Sequence, residues 1–351
     1  MNVCASAARL LKVMVVDDSG FMRLALKKML QNDPAIRVVA EANNGEDALR
    51  LARLHRPDVI TMDVEMPGGG GLDATRLIME HCPTSIIMVS SLTRAAADTT
   101  LQALACGAVD YIPKASSFVD LDIVAIEKEL HRKIHYWASR RSPLRGAAAP
   151  MPAVRPHAAA RRPDGAPDLV VVGASTGGPK ILPQLFAQVP RLRCPVVIAL
   201  HMPPLYTQSF AEHLAAASGQ RAVEGEDGMP LEPGMLVVAP GGTDSQVIAG
   251  ERGFRLAVRR DDRYGIHPSV DALFMSAASQ ARNPVAVVLT GMGEDGLAGG
   301  RELYRRRFPL LAQNEQSSLV YGMPRAVAEA GVASEILDIP GIARRLGAWA
   351  A

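Results

Sequence analysis

An apolar stretch, Val170-Val-Val-Gly-Ala-Ser175-Thr-Gly-Gly178, delivers a serine into a glycine-flanked turn. A strand that runs straight into a tight turn lifts a hydroxyl clear of the sheet edge, where a base can reach it. A second apolar stretch, residues 196–200, ends at His201. A third, residues 285–290, runs into Gly291-Met-Gly-Glu-Asp295-Gly. A serine, a histidine and an aspartate at three strand ends are the parts of a nucleophilic triad. In such a triad Ser175 attacks an acyl carbon. His201 takes the proton and returns it to the leaving group, and Asp295 orients the ring and stabilises the imidazolium. The glycine-rich turn at 291–293 is the best candidate for bringing backbone N–H groups close to a developing oxyanion.

Spacing alone leaves alternatives open. The Gly173-x-Ser175-x-Gly177 pattern occurs often by chance, and the order Ser, His, Asp differs from that of the α/β-hydrolases. Asp244, Asp261, Asp262 and Asp271 are rival carboxylates, and Asp244 also follows a strand and the pair Gly241-Gly242. His267 is a rival base, although no evident strand ends there. Ser175 also reads as a helix N-cap or an anion-binding turn. Nothing near Cys194 lowers its pKa, so it reads as a structural thiol.

A second constellation lies in the first half. Asp17 and Asp18 follow the apolar residues 13–16, and Asp63 follows residues 59–62. Neighbouring parallel strands would bring these three carboxylates to one edge, where they repel unless a hard cation such as Mg²⁺ sits among them. Ser90 ends a further strand and Lys114 lies just past another, adding a hydroxyl and an ammonium to the same rim. A carboxylate, Mg²⁺, a hydroxyl and an ammonium are what holds a phosphoryl group. The alternative is that the aspartates merely cap helices at strand ends.

The elements that must position these groups alternate. Strands are expected near 12–16, 37–41, 58–62, 85–89 and 108–112, with helices between them, among them 20–30 and 45–55, and a last one over 119–137. Leu24, Leu26, Met29 and Leu30 are expected to form the buried face of the first helix. This alternation implies an α/β doubly wound parallel sheet over residues 10–137, with function at the C-terminal strand ends. Residues 138–167 are dominated by alanine, proline and arginine and read as a linker. Residues 168–347 alternate again, with strands near 169–172, 196–200, 235–239, 285–289 and 308–311. A hairpin expected over 246–259 leaves a mixed sheet as the alternative to a mainly parallel one.

The chain has 351 residues, of which 48% are hydrophobic and 21% charged, enough for two packed domains. A formal net charge of +2 argues against nucleic acid or an anionic membrane as partner. Four scattered cysteines with no Cys-x-x-Cys pair suggest neither a zinc site nor a disulfide framework. No apolar run would span a bilayer and the N-terminus is a poor signal peptide, so a soluble, cytoplasmic protein without membrane insertion is expected.

The first half resembles a response-regulator receiver domain, on Val-Val-Asp17-Asp18, Met62-Asp63-Val-Glu-Met-Pro67, Met-Val-Ser90-Ser91 and Tyr111-Ile-Pro-Lys114. The resemblance implies a (βα)5 fold with Asp63 as phospho-acceptor. Mg²⁺ would be held by Asp18, by Asp17 through water, by Asp63 and by the backbone carbonyl of Glu65. Ser90 and Tyr111 match the switch positions, and Lys114 would contact the phosphoryl group. Two departures stand out: Ala115 follows Lys114 where the family usually has proline, and glycines fill 68–71.

Residues from about 168 to 346 resemble the catalytic domain of the chemotaxis protein-glutamate methylesterases. The motifs are Gly-Ala-Ser175-Thr-Gly-Gly, Leu-His201-Met-Pro, Ala-Pro-Gly241-Gly, His-Pro-Ser269-Val-Asp, Leu-Thr-Gly291-Met-Gly-Glu-Asp295-Gly and Val-Tyr-Gly322-Met-Pro. The resemblance implies that Ser175, His201 and Asp295 form the triad, with the backbone N–H of Met292 in the oxyanion hole. It implies phosphorylation-activated hydrolysis of glutamate γ-methyl esters on methyl-accepting chemotaxis receptors, giving sensory adaptation. Deamidation of receptor glutamines is implied as well. The phosphodonor would be a chemotaxis histidine kinase, and the esterase reaction would need no cofactor. Two other readings are a serine hydrolase of a different signalling array and a non-catalytic receptor-binding phospho-switch. Two domains on a compliant linker further suggest that the unphosphorylated receiver restrains the esterase.

Overall fold

The computed structural model describes residues 9–67, 70–114, 122–140, 166–251 and 253–349. The chain divides into two compact units, residues 1–148 and 149–351. Most of the expected linker, residues 141–165, lies outside the described residues. Residues 138–140, read as the start of that linker, instead end a helix. Among the described residues no helix is long and apolar enough to cross a membrane.

The first unit runs β1 (Leu11–Val16), α1 (Gly20–Gln31), β2 (Ile36–Ala42), α2 (Gly45–His55), β3 (Val59–Asp63), α3 (Gly70–His81), β4 (Ser85–Ser90), α4 (Arg94–Ala105), β5 (Asp110–Pro113) and α5 (Asp122–Arg140). Its strands form one sheet in the order β2-β1-β3-β4-β5, with every pairing parallel. Helices on both faces leave the central strands no solvent side, which is why they read as unbroken apolar runs. Val13 to Val16 and Val59 to Met62 are fully buried. Because β1 and β3 are neighbours, Asp17 and Asp63 emerge side by side.

The apolar face of α1 differs from expectation. Leu26, Met29 and Leu30 are buried, but Leu24 is half exposed. At 100° per residue Leu24 lies on the side opposite Leu26, so it cannot share that face.

The second unit runs β6 (Leu169–Ala174), α6 (Gly178–Phe186), β7 (Val196–Leu200), α7 (Tyr206–Ser218), β8 (Ala222–Glu224), β9 (Pro230–Leu231), β10 (Leu236–Val238), β11 (Asp244–Gly250) and β12 (Gly253–Arg259). It continues with α8 (Val270–Gln280), β13 (Pro284–Val288), α9 (Leu297–Arg305), β14 (Leu310–Gln313), α10 (Met323–Glu329), β15 (Glu335–Leu337) and α11 (Ile339–Gly347). The main sheet has the order β15-β14-β13-β6-β7-β10-β8. All its pairings are parallel. The possibility of a mixed sheet is therefore corrected: the hairpin β11-β12 is antiparallel but joins β9 in a separate small sheet. Strand order reverses at β6, whose neighbours are β7 and β13. That switch point is where an open α/β sheet offers a crevice, and it lies where β6 delivers Ser175.

Candidate active site and carboxylate cluster

Register brings the serine and histidine together. In the β6-β7 ladder Ala174 faces Leu200, so the next residues, Ser175 and His201, leave the sheet side by side. The His201 N–H still donates to the Ala174 carbonyl at 3.1 Å. On the other flank the Ser175 N–H donates to the Thr290 carbonyl at 3.0 Å. The N-cap of α6 is Gly177, at φ 86° and with no side-chain cap. Ser175 is thus not that helix's cap, and its hydroxyl forms no hydrogen bond among the described residues.

Asp295 sits beyond β13, in the turn before α9. Its Oδ2 accepts from His201 Nε2 at 2.7 Å. The same carboxylate accepts the N–H groups of Val270 and Asp271 at 2.8 and 2.9 Å and the Ser269 hydroxyl at 3.3 Å. Burial alone would raise its pKa. The hydrogen bond and charge of His201 and the two backbone donors instead hold it below the usual carboxylate range. With Nε2 committed to Asp295, the imidazole has Nδ1 left to act as base. No Ser175–His201 hydrogen bond forms among the described residues, and such bonds often close only with substrate present.

The rivals are occupied elsewhere. His267 Nδ1 pairs with Asp244 at 2.8 Å, and Asp244 also accepts the N–H groups of Asp261 and Ser269. Asp261 and Asp262 pair with Arg263 and Arg260 at the surface. Burial pushes the Cys194 thiol up to about 12, so it is no nucleophile at neutral pH. Asp271 lies closest to the site: its Oδ1 accepts the N–H groups of Gly296 and Gly299 at 3.0 and 2.7 Å. Spacing gave no sign of that link, because it joins two helix ends distant in sequence.

The turn at 291–293 is pinned from one side. The Gly291 N–H donates to the Val320 carbonyl, and the Gly291 carbonyl accepts from Gly322 and Met323. A side chain at Gly291 would press on Ser175 Cβ at 2.9 Å and collide with Met323. Gly293 has φ 87°, a conformation suited to glycine. Between them the Met292 N–H has no hydrogen-bond partner among the described residues, and so remains available as a donor.

In the first unit the Asp17, Asp18 and Asp63 ligand atoms lie within 4.8 Å of one another. Asp17 and Asp63 are buried and Asp18 is exposed. Lys114 Nζ reaches Asp63 Oδ1 at 2.8 Å and Asp17 Oδ2 at 3.1 Å. Burial, with the Asp17 charge, raises Asp63 to about 6 against the opposing pull of Lys114. Burial would lower Lys114, but the hydrogen bond and charges of Asp63 and Asp17 leave it raised. Asp63 Oδ2 is buried with no hydrogen-bond partner. An orphaned carboxylate oxygen amid three acidic groups fits a hard cation. Glu65 follows close by, its N–H donating to Asp63 Oδ1 at 3.2 Å.

Ser90 and Tyr111 point inward. The Ser90 hydroxyl is buried and accepts from Thr100 of α4 at 2.9 Å. Tyr111 is buried, with Lys133 Nζ 5.3 Å from its ring centre and 2.6 Å from its carbonyl. Ala115 lies outside the described residues, as do Gly68 and Gly69, while Gly70 and Gly71 open α3.

Comparison with known proteins relates each half of the chain to a family. A family described as CheB methylesterase matches residues 170–346, and one described as response regulator receiver domain matches residues 13–125. The protein-glutamate methylesterase/protein-glutamine glutaminase 1 of Oleidesulfovibrio alaskensis is 42% identical, over 96% of this chain and 98% of its own. A protein-glutamate methylesterase/protein-glutamine glutaminase of Pyrococcus horikoshii is 38% identical over 94% of this chain and 91% of its own. The crystal structure of the Thermotoga maritima CheB methylesterase catalytic domain superposes with a TM-score of 0.50 at 32% identity, covering 52% of this chain and 98% of that one.

Proposed function

The chain belongs to the CheB methylesterase family and carries a response regulator receiver domain ahead of its catalytic half, and from that premise we propose how its own residues perform and control the reaction. The enzyme is a protein-glutamate methylesterase/protein-glutamine glutaminase of the chemotaxis type. Its substrate is a glutamate γ-methyl ester on a methyl-accepting chemotaxis receptor. The observation that carries this reading is the His201–Asp295 pair on the strand end beside Ser175.

Ser175 Oγ attacks the ester carbonyl carbon, and its proton passes to His201 Nδ1. Asp295, ionised and bonded to Nε2, stabilises the imidazolium. The oxyanion accepts the Met292 N–H, a donor fixed before the charge develops. Collapse breaks the C–O bond, and methanol leaves with the proton from Nδ1. Water then repeats the sequence on the acyl-serine and releases glutamate. A receptor glutamine passes through the same tetrahedral intermediate with ammonia as leaving group, so the same residues serve deamidation.

In the receiver, Asp63 accepts a phosphoryl group from a histidine kinase. Asp18, Asp63 and the Glu65 carbonyl, with Asp17 through water, would hold Mg²⁺, which would offset the charge of the carboxylates and phosphate. Lys114 is placed to pair with the phosphoryl oxygens. Switching through Ser90 requires its hydroxyl to leave Thr100, and Tyr111 moves with it against Lys133. Restraint by the unphosphorylated receiver predicts that a fragment of residues 166–351 exceeds the basal activity of the full chain.

Methanol release from methylated receptor membranes tests the whole reading. The parent, Ser175→Ala and Asp63→Asn are each assayed with and without a small phosphodonor and Mg²⁺. Release should vanish with Ser175→Ala and lose only its donor response with Asp63→Asn. Release that persists without Ser175 would refute the nucleophile. Hydrolysis of small esters but never of receptors would assign the enzyme to another signalling array.

A further inference from the structure

Behind Ser175 lies a fully buried polar pair that the reaction scheme does not use, Thr290 and Gln313. Thr290 lies two residues past β13, and Gln313 ends β14 beside it. In the β13-β14 ladder Val288 faces Ala312. Beyond that point β13 must turn away to form the 291–293 turn, so the backbone ladder cannot continue. The Gln313 side chain takes its place. Its Oε1 accepts the Thr290 N–H at 2.7 Å, and its Nε2 donates to the Ser317 carbonyl at 2.7 Å.

Thr290 passes that support in two directions. Its carbonyl accepts the Ser175 N–H at 3.0 Å. Its hydroxyl donates to the Thr176 carbonyl at 2.9 Å and accepts the Val320 N–H at 2.9 Å. Val320 in turn accepts from Gly291, the first residue of the turn that presents the Met292 N–H. One side-chain amide therefore sits at the root of both the nucleophile turn and the oxyanion turn. The amide is itself fully buried, its Thr290 partner is fully buried and its Ser317 partner half-buried, so leaving either end unpaired would be costly.

We infer that Gln313 is a positioning residue for the esterase reaction: through Thr290 it holds Ser175 and the Met292 N–H in one fixed geometry, so that both address the same carbonyl group. The inference rests on the roles given above to Ser175 and Met292. Misalignment would be felt in the transition state, where the oxyanion forms, and hardly in ground-state binding.

The test is hydrolysis of p-nitrophenyl acetate by the full chain carrying Gln313→Met, which keeps length and volume but removes the amide. Loss of one oxyanion donor typically costs about 100- to 1000-fold, so kcat should fall by about 30-fold or more while KM stays within about twofold. Inhibition by phenylboronic acid, which forms a tetrahedral adduct on a serine, should weaken by a similar factor. A folded variant with kcat within about threefold of the parent overturns the inference. So does a loss matched by a smaller pre-steady-state burst with unchanged turnover per active site, since that reports only a smaller folded fraction. Should Gln313→Met fail to fold, Thr290→Val carries the same expectations. Ser175→Ala separates the two levels: turnover that survives it refutes the nucleophile itself, whereas turnover that it abolishes but Gln313→Met spares refutes only the role of Gln313.

Discussion

Asp271 and Asp295 cap each other's helix. Asp295, just before α9, sends its carboxylate to the N-terminus of α8, where Val270 and Asp271 donate their N–H groups. Asp271, in the first turn of α8, sends its own to the N-terminus of α9, where Gly296 and Gly299 donate. A helix N-terminus carries about half a positive charge, so each carboxylate is held by backbone donors and a dipole. Asp295 is thereby aimed at His201 by two helix ends. The exchange also sets two acids near each other. Burial, with the charge of Asp295, raises Asp271 from 3.8 to about 6, while His201 and its backbone donors keep Asp295 low.

The first prediction is a pH-dependent stability. Asp271 holds its proton up to about pH 6 in the fold but only to about pH 4 when unfolded. Between those values the folded state binds more protons, so stability falls as pH rises through the window. Asp271→Asn keeps an acceptor oxygen for Gly296 and Gly299 but has no proton to lose. Above pH 6 it should exceed the parent by on the order of 1–3 kcal/mol, and the advantage should disappear below about pH 4. Thermal melts of both proteins across this range check it. A constant difference at every pH would mean that Asp271 does not titrate there.

Ser269 joins the same junction. Its hydroxyl accepts the Ala272 N–H at 3.2 Å as the α8 cap and lies 3.3 Å from Asp295 Oδ1. Ser269→Ala should cost about 1 kcal/mol in stability through the lost cap. It should also lower kcat/KM by up to about tenfold, because a donor to a charged group is lost. Ser269→Thr should restore both. Urea unfolding and ester hydrolysis measured on the same preparations decide the matter: a lost cap with unchanged hydrolysis would confine Ser269 to folding.

The strands that deliver Asp17, Asp63, Ser175 and His201 are legible in the sequence because each is buried on both faces and reads as an apolar run ending in a polar group. The short edge strands are not. Glu335-Ile-Leu337 of β15 and Ala222-Val-Glu224 of β8 are half buried and too brief for a periodic signal. Motif order also carries the candidate site residues, but not what stands behind them. Asp271 reads as a rival of Asp295, and only the meeting of two helix ends makes it a partner. Gln313 falls beyond the strand expected over 308–311, and nothing local shows that a neighbouring ladder stops beside it.

Lys114 leads to a prediction about metal. Its ammonium is the counter-charge that reaches both Asp17 and Asp63. Breaking a buried ion pair from one side costs about 3–5 kcal/mol, less where water reaches the ammonium. Lys114→Met should therefore melt several degrees lower than the parent in chelator-treated buffer. Saturating Mg²⁺ should raise its melting temperature by more than it raises the parent's, because the cation supplies the missing charge. Phosphorylation of Asp63 by a small donor should also slow. Equal Mg²⁺ responses in the two proteins would indicate that the cation does not share these carboxylates with Lys114.

Gly71 gives the last prediction, where two rules of sign oppose each other. It lies in the first turn of α3, and replacing an interior helical glycine with alanine ordinarily stabilises by about 1 kcal/mol. Here a Cβ would run into the Asp63 carbonyl oxygen and stand 2.9 Å from its carbon and 3.2 Å from Met62 Cγ. The Gly71 N–H already donates to the Val64 carbonyl at 3.1 Å, so the helix start is tied to the end of β3 and cannot retreat freely. Gly71→Ala should thus destabilise by about 1–3 kcal/mol and displace Asp63 as the strain is relieved. Gly45→Ala is the comparison: its Cβ meets only Ala74, at 3.1 Å from Cβ and 3.7 Å from Cα, so any cost should be much smaller. Chemical unfolding gives the sign and the rate of Asp63 phosphorylation gives the displacement. A stabilised Gly71→Ala would mean that helix propensity outweighs the contact and that the glycines at 70 and 71 serve no close approach.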